Sequence, residues 1–134
     1  MDTLKITKAD LDGDGYYTGT ALDSVYDGHI EIAAGLGYVR FRKTIAVRGR
    51  VVALTGSGIK AGEGIEAGLS IVCRAWLTAR LRVFAGLCLW RLPTDAEQTI
   101  TCERFEGGTV AFGRLVETAA ASQPAEADAE EVAS

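Results

Sequence analysis

The sequence has only two prolines and one histidine, and it lacks the run of roughly 18 apolar residues that a membrane-spanning helix requires. Its most apolar stretch, Leu69 to Leu92, is interrupted by Arg74, Arg80 and Arg82, which excludes a membrane span. The first residues lack the basic start and apolar centre of a secretory signal, so we expect none. With 134 residues, 48% of them hydrophobic, the chain is long enough for one domain with a single core.

Cysteine is scarce and irregularly spaced. Cys73, Cys88 and Cys102 match neither a CxxC motif nor a zinc-finger spacing, and their number is odd. This pattern predicts free thiols in a reducing, cytoplasmic location. All three cysteines lie in apolar or strand-like stretches, where a free cysteine packs as a small hydrophobic residue.

Residues suited to catalysis are also few. The sequence contains no nucleophile elbow, phosphate-binding loop or metal-spacing cluster. The only histidine, His29, precedes a predicted strand, where a lone histidine is usually structural or solvated. We therefore predict that the protein is not an enzyme and needs no cofactor.

Charge is unevenly distributed along the chain, although the net charge is only −4. Residues 1–37 carry a net charge of −5, residues 38–116 carry +6, and residues 117–134 carry −5. The last zone is rich in alanine and has no aromatic residue, which predicts a disordered acidic tail that adds solubility. Mimicry of nucleic acid, or docking of this tail on a basic partner, is the alternative.

A six-residue repeat is the strongest signal in the sequence. Every sixth residue from Val47 is apolar: Val47, Ala53, Ile59, Ile65, Ile71, Leu77, Val83 and Leu89. Six residues advance a helix by roughly 600°, so a helix would place successive members on opposed faces. In a strand such as Ile59-Lys60-Ala61, the side chains alternate inward, outward and inward, and the following glycines allow a turn. The repeat therefore predicts stacked strand-and-turn units.

The same phase predicts which residues face inward farther along the chain. The inward positions are Leu69, Ile71, Cys73, Ala75, Leu77, Ala79, Leu81, Val83, Ala85, Leu87 and Leu89. If three units form one coil, residues eighteen apart stack, which places Ile59 on Leu77, Ile65 on Val83 and Ile71 on Leu89.

The predicted fold is all-β: a short parallel β-helix, or β-solenoid, with a C-terminal β-hairpin cap. Residues 1–37 would form acidic strands and a turn that lead into a solenoid core at 38–92. Strands at 99–105 and 109–116, joined by Gly107-Gly108, would form the capping hairpin within 93–117. Residues 118–134 would form the disordered tail.

The repeat resembles that of the hexapeptide-repeat β-helix proteins, many of which are acyltransferases. The sequence also resembles small solenoid proteins of bacteria, phages and mobile elements. This resemblance is carried by the motif Gly58-Ile59-Lys60-Ala61-Gly62, the opening Asp10 to Gly15 and the segment Phe84 to Cys88. This second resemblance spans roughly residues 8–117 and implies a fold rather than a shared activity.

Basic and aromatic residues are the candidate binding site. Arginines alternate with apolar residues, so Arg40 with Arg42, and separately Arg48 with Arg50, should project from one sheet face, and Arg80 with Arg82 repeats the pattern. Trp76, Phe84 and Trp90 lie outside the inward column, so they either mark a contact surface or pack beneath the terminal hairpin or the N-terminal segment. A solvated strand face, or self-association with the acidic segments, would produce the same arginine pattern.

The opening Asp10 to Gly15 resembles the start of a calcium loop, with oxygen ligands at Asp10, Asp12 and Asp14. The twelfth position is Ala21 rather than glutamate, so metal binding is only a weak prediction. An Asx-type turn before a strand that begins at Tyr16 is the alternative.

The preferred functional hypothesis is a non-enzymatic, homo-oligomeric binding protein of phage or mobile-element origin. It would inhibit a bacterial defence complex by binding a host protein or nucleoprotein complex through a rigid basic and aromatic face. One alternative is an oligomeric sponge that captures a nucleotide signal, and another is a structural protein that assembles end to end. An acyltransferase is the least favoured hypothesis, because it would need a histidine base near a subunit junction.

Overall fold

The computed structural model of the chain describes residues 2–87 and 92–118. Within these ranges the chain forms ten β-strands and two single-turn 3-10 helices, Lys8–Asp10 and Ala96–Gln98. The strands are β1 (Asp2–Ile6), β2 (Gly28–Ile32), β3 (Gly37–Phe41), β4 (Ile45–Val47), β5 (Val51–Ala53), β6 (Ser57–Ala61), β7 (Ile65–Ala67), β8 (Ile71–Ala85), β9 (Thr99–Phe112) and β10 (Arg114–Glu117). No helix in the described part of the chain has the length and apolarity to span a membrane.

All pairings between these strands are parallel, and they form three ladders. The first ladder contains β1, β2, β5, the beginnings of β8 and β9, and finally β10. The second contains β3, β6 and the middle parts of β8 and β9. The third contains β4, β7 and the last parts of β8 and β9. The chain passes the three ladders in the same order in each successive layer, so the predicted all-β, parallel class is confirmed.

The core explains why the repeat has six residues. Ile59 and Ala61 point inward from one strand, and the next inward residue is Ile65, four positions later. Each unit therefore has two inward residues separated by one outward residue, followed by a three-residue corner. The predicted column from Val47 to Val83 is buried at every sixth position, and its last member, Leu89, lies outside the described residues.

Two of the three predicted stacking pairs are confirmed, Ile59 with Leu77 and Ile65 with Val83. The third is wrong, because Ile71 pairs with Ile100. The chain passes through all three ladders as β8, which ends at Ala85, and the next described strand, β9, begins at Thr99. This layer is therefore longer than eighteen residues.

Two side chains predicted to point inward lie at the surface. Leu81 is 56% exposed and Leu87 is 36% exposed. Between the buried residues Ala79 and Val83, β8 turns from the second ladder to the third, and strict alternation does not continue through this corner. The inward positions predicted from the sequence assume strand alternation through this corner, which explains the difference at Leu81.

The predicted C-terminal hairpin is also wrong. The segment from Thr99 to Phe112 is a single strand with bulges that pairs in parallel with β8, and β10 pairs in parallel with the beginning of β9. Gly108, at φ +102°, lies where β9 passes from the second ladder to the third, and it does not reverse the chain. Parallel pairing with β8 satisfies the backbone groups that a hairpin would have paired. Residues 99–117 still lie at one end of the ladders.

Residues 7–27 cover the opposite end of the core. β1 is the terminal strand of the first ladder, yet Ile6 is 0% exposed. Leu11, Leu22 and Tyr26 from this segment pack against the core cluster. This covering shields the apolar cross-section that the first layer would otherwise expose to water.

Replacing Ile65 with alanine should lower the free energy of unfolding by about 2–5 kcal/mol, because its side chain is 0% exposed between Ile45 and Val83. Leu81→Ala should change that free energy by less than about 0.5 kcal/mol, since Leu81 lies at an exposed corner. Urea denaturation followed by circular dichroism measures both. Equal losses in the two variants would contradict the assignment of inward and corner positions.

Candidate functional site

The outer surface of the second ladder carries a row of polar and basic side chains. Arg40 in β3 lies directly beside Lys60 in β6, and Lys60 lies beside Thr78 in β8. Tyr16 forms a parallel bridge with Arg40 on the other side of the row. Arg80 completes a shallow groove of about 270 Å³, which we call the basic groove; it is lined by Tyr16, Arg40, Phe41, Lys60, Ala61, Gly62, Thr78, Ala79 and Arg80.

Strand alternation places these side chains outside. In β6, Ile59 and Ala61 are buried and Lys60 between them is exposed. In β8, Leu77 and Ala79 are buried, so Thr78 points outward. Each strand of the ladder therefore adds one outward side chain to the same row, at the spacing of parallel strands, roughly 4.8 Å.

Adjacent positive charges are the main electrostatic feature of the groove. Arg40 and Lys60 are direct neighbours, and like charges placed side by side across strands are destabilising. Among the ion pairs found within residues 2–87 and 92–118, none involves Arg40, Lys60 or Arg80. An anion bound in the groove would relieve this repulsion.

Tyr16 holds two arginines at the edge of the groove. The guanidinium carbon of Arg42 lies 4.1 Å from the centre of the Tyr16 ring, and that of Arg40 lies 6.0 Å from it. Arg42 also lies 3.6 Å from the Asp12 carboxylate, and its side chain is 67% exposed. A cation over an aromatic face is attracted by the ring quadrupole, which helps to fix where these charges are displayed.

An aromatic pair lies on the same ladder, next to the groove. The ring centres of Tyr38 and Trp76 are 6.3 Å apart in an edge-to-face arrangement of 68°. Gly58 separates them in the ladder, and a Cβ atom there would lie 2.7 Å from the Trp76 carbonyl oxygen and 3.2 Å from the Tyr38 ring. Trp76 is 44% exposed. Burial, and secondarily the charge of Glu106, raises the pKa of Tyr38, so its hydroxyl stays protonated at neutral pH.

The structure separates the residues predicted as one binding set. The members brought together on the second ladder are Arg40, Arg42, Arg80 and Trp76. Arg48 lies beyond β4, 3.7 Å from Asp27, and Arg50 precedes β5 in the first ladder. Phe84 lies on the third ladder between Glu66 and Phe112.

The two remaining members of the predicted set are Arg82 and Trp90. Arg82 lies at the corner that leads from the second ladder to the third, and Trp90 lies outside the described residues.

Sequence reasoning did not select Tyr16, Tyr38, Lys60 and Thr78 for this surface. Lys60 could have been found, because it is the outward residue between Ile59 and Ala61 of the clearest repeat. Its neighbour Arg40 is twenty residues earlier, whereas Thr78 is eighteen residues later. A fixed spacing therefore does not reveal the row.

The Asp12 side chain organises the turn before the groove. Its Oδ1 accepts hydrogen bonds from the backbone N–H groups of Asp14 and Tyr16, both at 2.9 Å. The bond from Tyr16 is the largest cause of a lowered Asp12 pKa. The geometry matches the predicted Asx-type turn, and it fixes the residue that bridges to Arg40. The strand predicted to begin at Tyr16 is wrong, because Tyr16 and Tyr17 form only isolated bridges. Within the described ranges, no group of three or more histidine, cysteine or acidic residues is placed to hold a metal ion.

His29 lies on β2 in the first ladder, away from the groove lining. Its Nδ1 accepts a hydrogen bond from the backbone N–H of Arg50 at 2.9 Å, which requires an unprotonated Nδ1. Burial, followed by the charge of Arg50, lowers the pKa of His29. The neutral ring therefore supports the turn between the third ladder and the first.

Two cysteines lie next to each other in the core. Cys73 in β8 pairs with Cys102 in β9, and both are buried and free. Burial raises the pKa of Cys73, and burial also raises the pKa of Cys102 to about 12. Both thiols are therefore protonated at neutral pH, as expected for cysteines that serve as small core residues. Cys88 lies outside the described residues.

Comparison with known proteins found no matching family model, no matching curated protein and no matching solved structure. The interpretation of this surface therefore depends on its own geometry and charge.

Replacing Asp12 with alanine should lower the urea midpoint of unfolding, because two backbone N–H groups lose their acceptor. Asp12→Asn should lower it less, since the amide oxygen can accept the same bonds. Asp14→Ala is the matched control, because only the backbone of Asp14 contributes to the turn. A larger loss in the Asp14 variant than in the alanine variant of Asp12 would contradict this account.

Stability should decrease as the pH falls through about 6.5, the ordinary pKa of histidine. The folded state lowers the pKa of His29, so it binds fewer protons than the unfolded chain in the range between the two pKa values. Urea midpoints measured from about pH 8 to about pH 5.5 should decline in the parent protein. They should decline less in His29→Gln, whose amide oxygen can accept the Arg50 bond without titrating. The same decline in both would exclude His29 as its source.

Proposed function

We propose that the chain is a short parallel β-solenoid with three faces, and that it acts as a non-enzymatic binding protein. The architecture is supported by the parallel pairings, since each layer visits the three ladders in one order and places its inward residues in a shared core. Such stacking makes the outer faces rigid, so a binding surface loses little conformational freedom when a partner arrives.

The observation that carries the proposal is the pairing of Arg40 with Lys60, neither of which takes part in an ion pair found within residues 2–87 and 92–118. The register fixes both cations side by side, and Arg80 adds positive charge to the same groove. Arg42, over the Tyr16 ring, is paired with Asp12. A partner with closely spaced anionic groups would neutralise the cations of the groove together. Arginine and lysine side chains are well suited to phosphate and carboxylate oxygens.

A binding role is also supported because the histidine and the two described cysteines, the side chains best suited to catalysis, are already hydrogen-bonded or buried. The Nδ1 of His29 already accepts a backbone hydrogen bond, and the thiols of Cys73 and Cys102 are buried with raised pKa values. None of these three residues lines the basic groove. This arrangement favours binding over acyl transfer.

We further propose that the anionic partner belongs to a bacterial macromolecular complex. The resemblance of the repeat to small solenoid proteins of phages and mobile elements makes a defence complex the predicted target. A nucleoprotein complex would supply the closely spaced anions that the groove requires.

Retention on immobilised heparin tests the basic surface directly. The chain has a net charge of −4, so retention requires a local concentration of positive charge. The double variant Arg40→Glu/Lys60→Glu should elute at markedly lower salt than the parent. The control Arg48→Glu/Arg50→Glu changes the net charge equally but lies outside the groove lining, and it should elute close to the parent.

Equal loss of retention in both double variants would mean that only net charge matters. That result, or failure of the parent to be retained at low salt, would contradict the proposed binding surface. Circular dichroism spectra of all three proteins establish that the differences do not come from unfolding.

A further inference from the structure

The basic groove and the aromatic pair are parts of one surface. Trp76 and Thr78 are two residues apart on β8, and both point to the outside of the second ladder. A strand rises roughly 3.3 Å per residue, so the two side chains are roughly 6.6 Å apart along it. An exposed tryptophan ring therefore lies beside the row formed by Arg40, Lys60 and Thr78.

We infer that this surface binds a nucleoside phosphate, with the base stacked on Trp76 and the phosphate in the basic groove. The inference rests on the proposed function, because it names the anion that the groove binds. The separation between Trp76 and Thr78 matches that between a base and its 5′-phosphate. The Lys60 ammonium and the Arg40 guanidinium provide positive charge at the phosphate position, and the Thr78 hydroxyl provides a hydrogen-bond donor.

The ladder prepares Trp76 for stacking. Tyr38 contacts the ring edge to face, which restricts its orientation while 44% of the residue stays exposed. Gly58 makes this contact possible, because any side chain there would collide with the Trp76 carbonyl and crowd the Tyr38 ring. A ring that is oriented before the ligand arrives loses little entropy on stacking.

A nucleoside phosphate explains both halves of the surface, whereas an acidic protein surface explains only the cations. Carboxylates have no requirement for an exposed indole beside them. Stacking on an aromatic side chain combined with a basic groove is the arrangement by which proteins bind unpaired bases. Free nucleotides and single-stranded nucleic acid share this chemistry, and both have bases whose faces are accessible.

Tryptophan fluorescence provides the direct test. Trp90→Phe leaves Trp76 as the only tryptophan, and this variant can be titrated with AMP, with a short oligothymidylate and with ribose 5-phosphate. Quenching by AMP or the oligonucleotide, with none from ribose 5-phosphate, is the expected result, because only the first two have a base. Saturation by AMP identifies free nucleotide as the source. Quenching by the oligonucleotide alone identifies single-stranded nucleic acid.

Substitutions separate stacking from charge in an independent calorimetric measurement with the same ligands. Trp76→Ala should weaken binding roughly 5- to 150-fold, as expected for loss of one base stacked on an aromatic ring, and Trp76→Phe should restore most of the affinity. Lys60→Ala should also weaken binding and reduce its salt dependence. Arg48→Ala, outside the groove lining, is the control and should bind as the parent does.

The outcomes distinguish this inference from the proposed function. If heparin retention depends on Arg40 and Lys60 but no base-containing ligand quenches Trp76, the nucleoside phosphate is wrong and the anionic binding face stands. Unchanged affinity in Trp76→Ala would also overturn the inference. If heparin retention does not depend on the groove and no ligand binds, both proposals fail.

Discussion

The structure depends on the stacking of inward side chains between parallel strands, with a large aliphatic residue at the first of the two inward positions in each layer. Ile45, Ile65 and Val83 are consecutive in the third ladder, and all three are 0% exposed. The neighbouring inward position carries Val47, Ala67 and Ala85. Burying each large side chain stabilises the fold by roughly 1.5–3 kcal/mol relative to exposure. No single layer has enough apolar surface to fold alone, so the layers stabilise one another.

This constraint on the inside leaves the outside free to vary. The packed core fixes which residues point outward but not their chemistry, so one ladder can carry adjacent cations where another carries a mixture of apolar and acidic residues. The second ladder has Arg40 beside Lys60, whereas the third has Ala46, Glu66 and Phe84 in the corresponding outward row. The stability of the stacked layers offsets the repulsion between adjacent cations, as at functional sites where local stability is lost in exchange for binding. The core thus holds the basic groove in place, and the stability of the core does not require the residues of the groove.

The structure provides evidence on two alternatives raised by the sequence, end-to-end assembly and calcium binding. End-to-end assembly would require accessible ends, yet residues 7–27 cover one end of the core and leave Ile6 0% exposed. Calcium binding would need free carboxylate oxygens at Asp12, whose Oδ1 already accepts two backbone hydrogen bonds. Homo-oligomerisation, inhibition of a defence complex and the role of the acidic tail stay predictions.

Much of the fold follows from the sequence alone. The six-residue period, with aliphatic Ile59, Ile65 and Ile71 in phase, determines a strand-and-corner repeat, because side-chain alternation and burial are local properties. Pairings such as Ile59 with Leu77 could be predicted because the chain between them contains only regular units. The outward position of Lys60 follows from the same local alternation.

Only the tertiary structure determined the features that depend on how many residues each layer contains and on which distant strands pair. Thr99 to Phe112 continues the parallel ladders instead of forming a hairpin, because β8 provides a free edge that is not apparent from the local sequence. Residues 80–82 form a corner, which exposes Leu81 despite its place in the pattern. Tyr16 reaches Arg40, and Trp76 reaches Tyr38, only through these long-range pairings. Composition and spacing specify the repeat, whereas the register between distant strands creates the site.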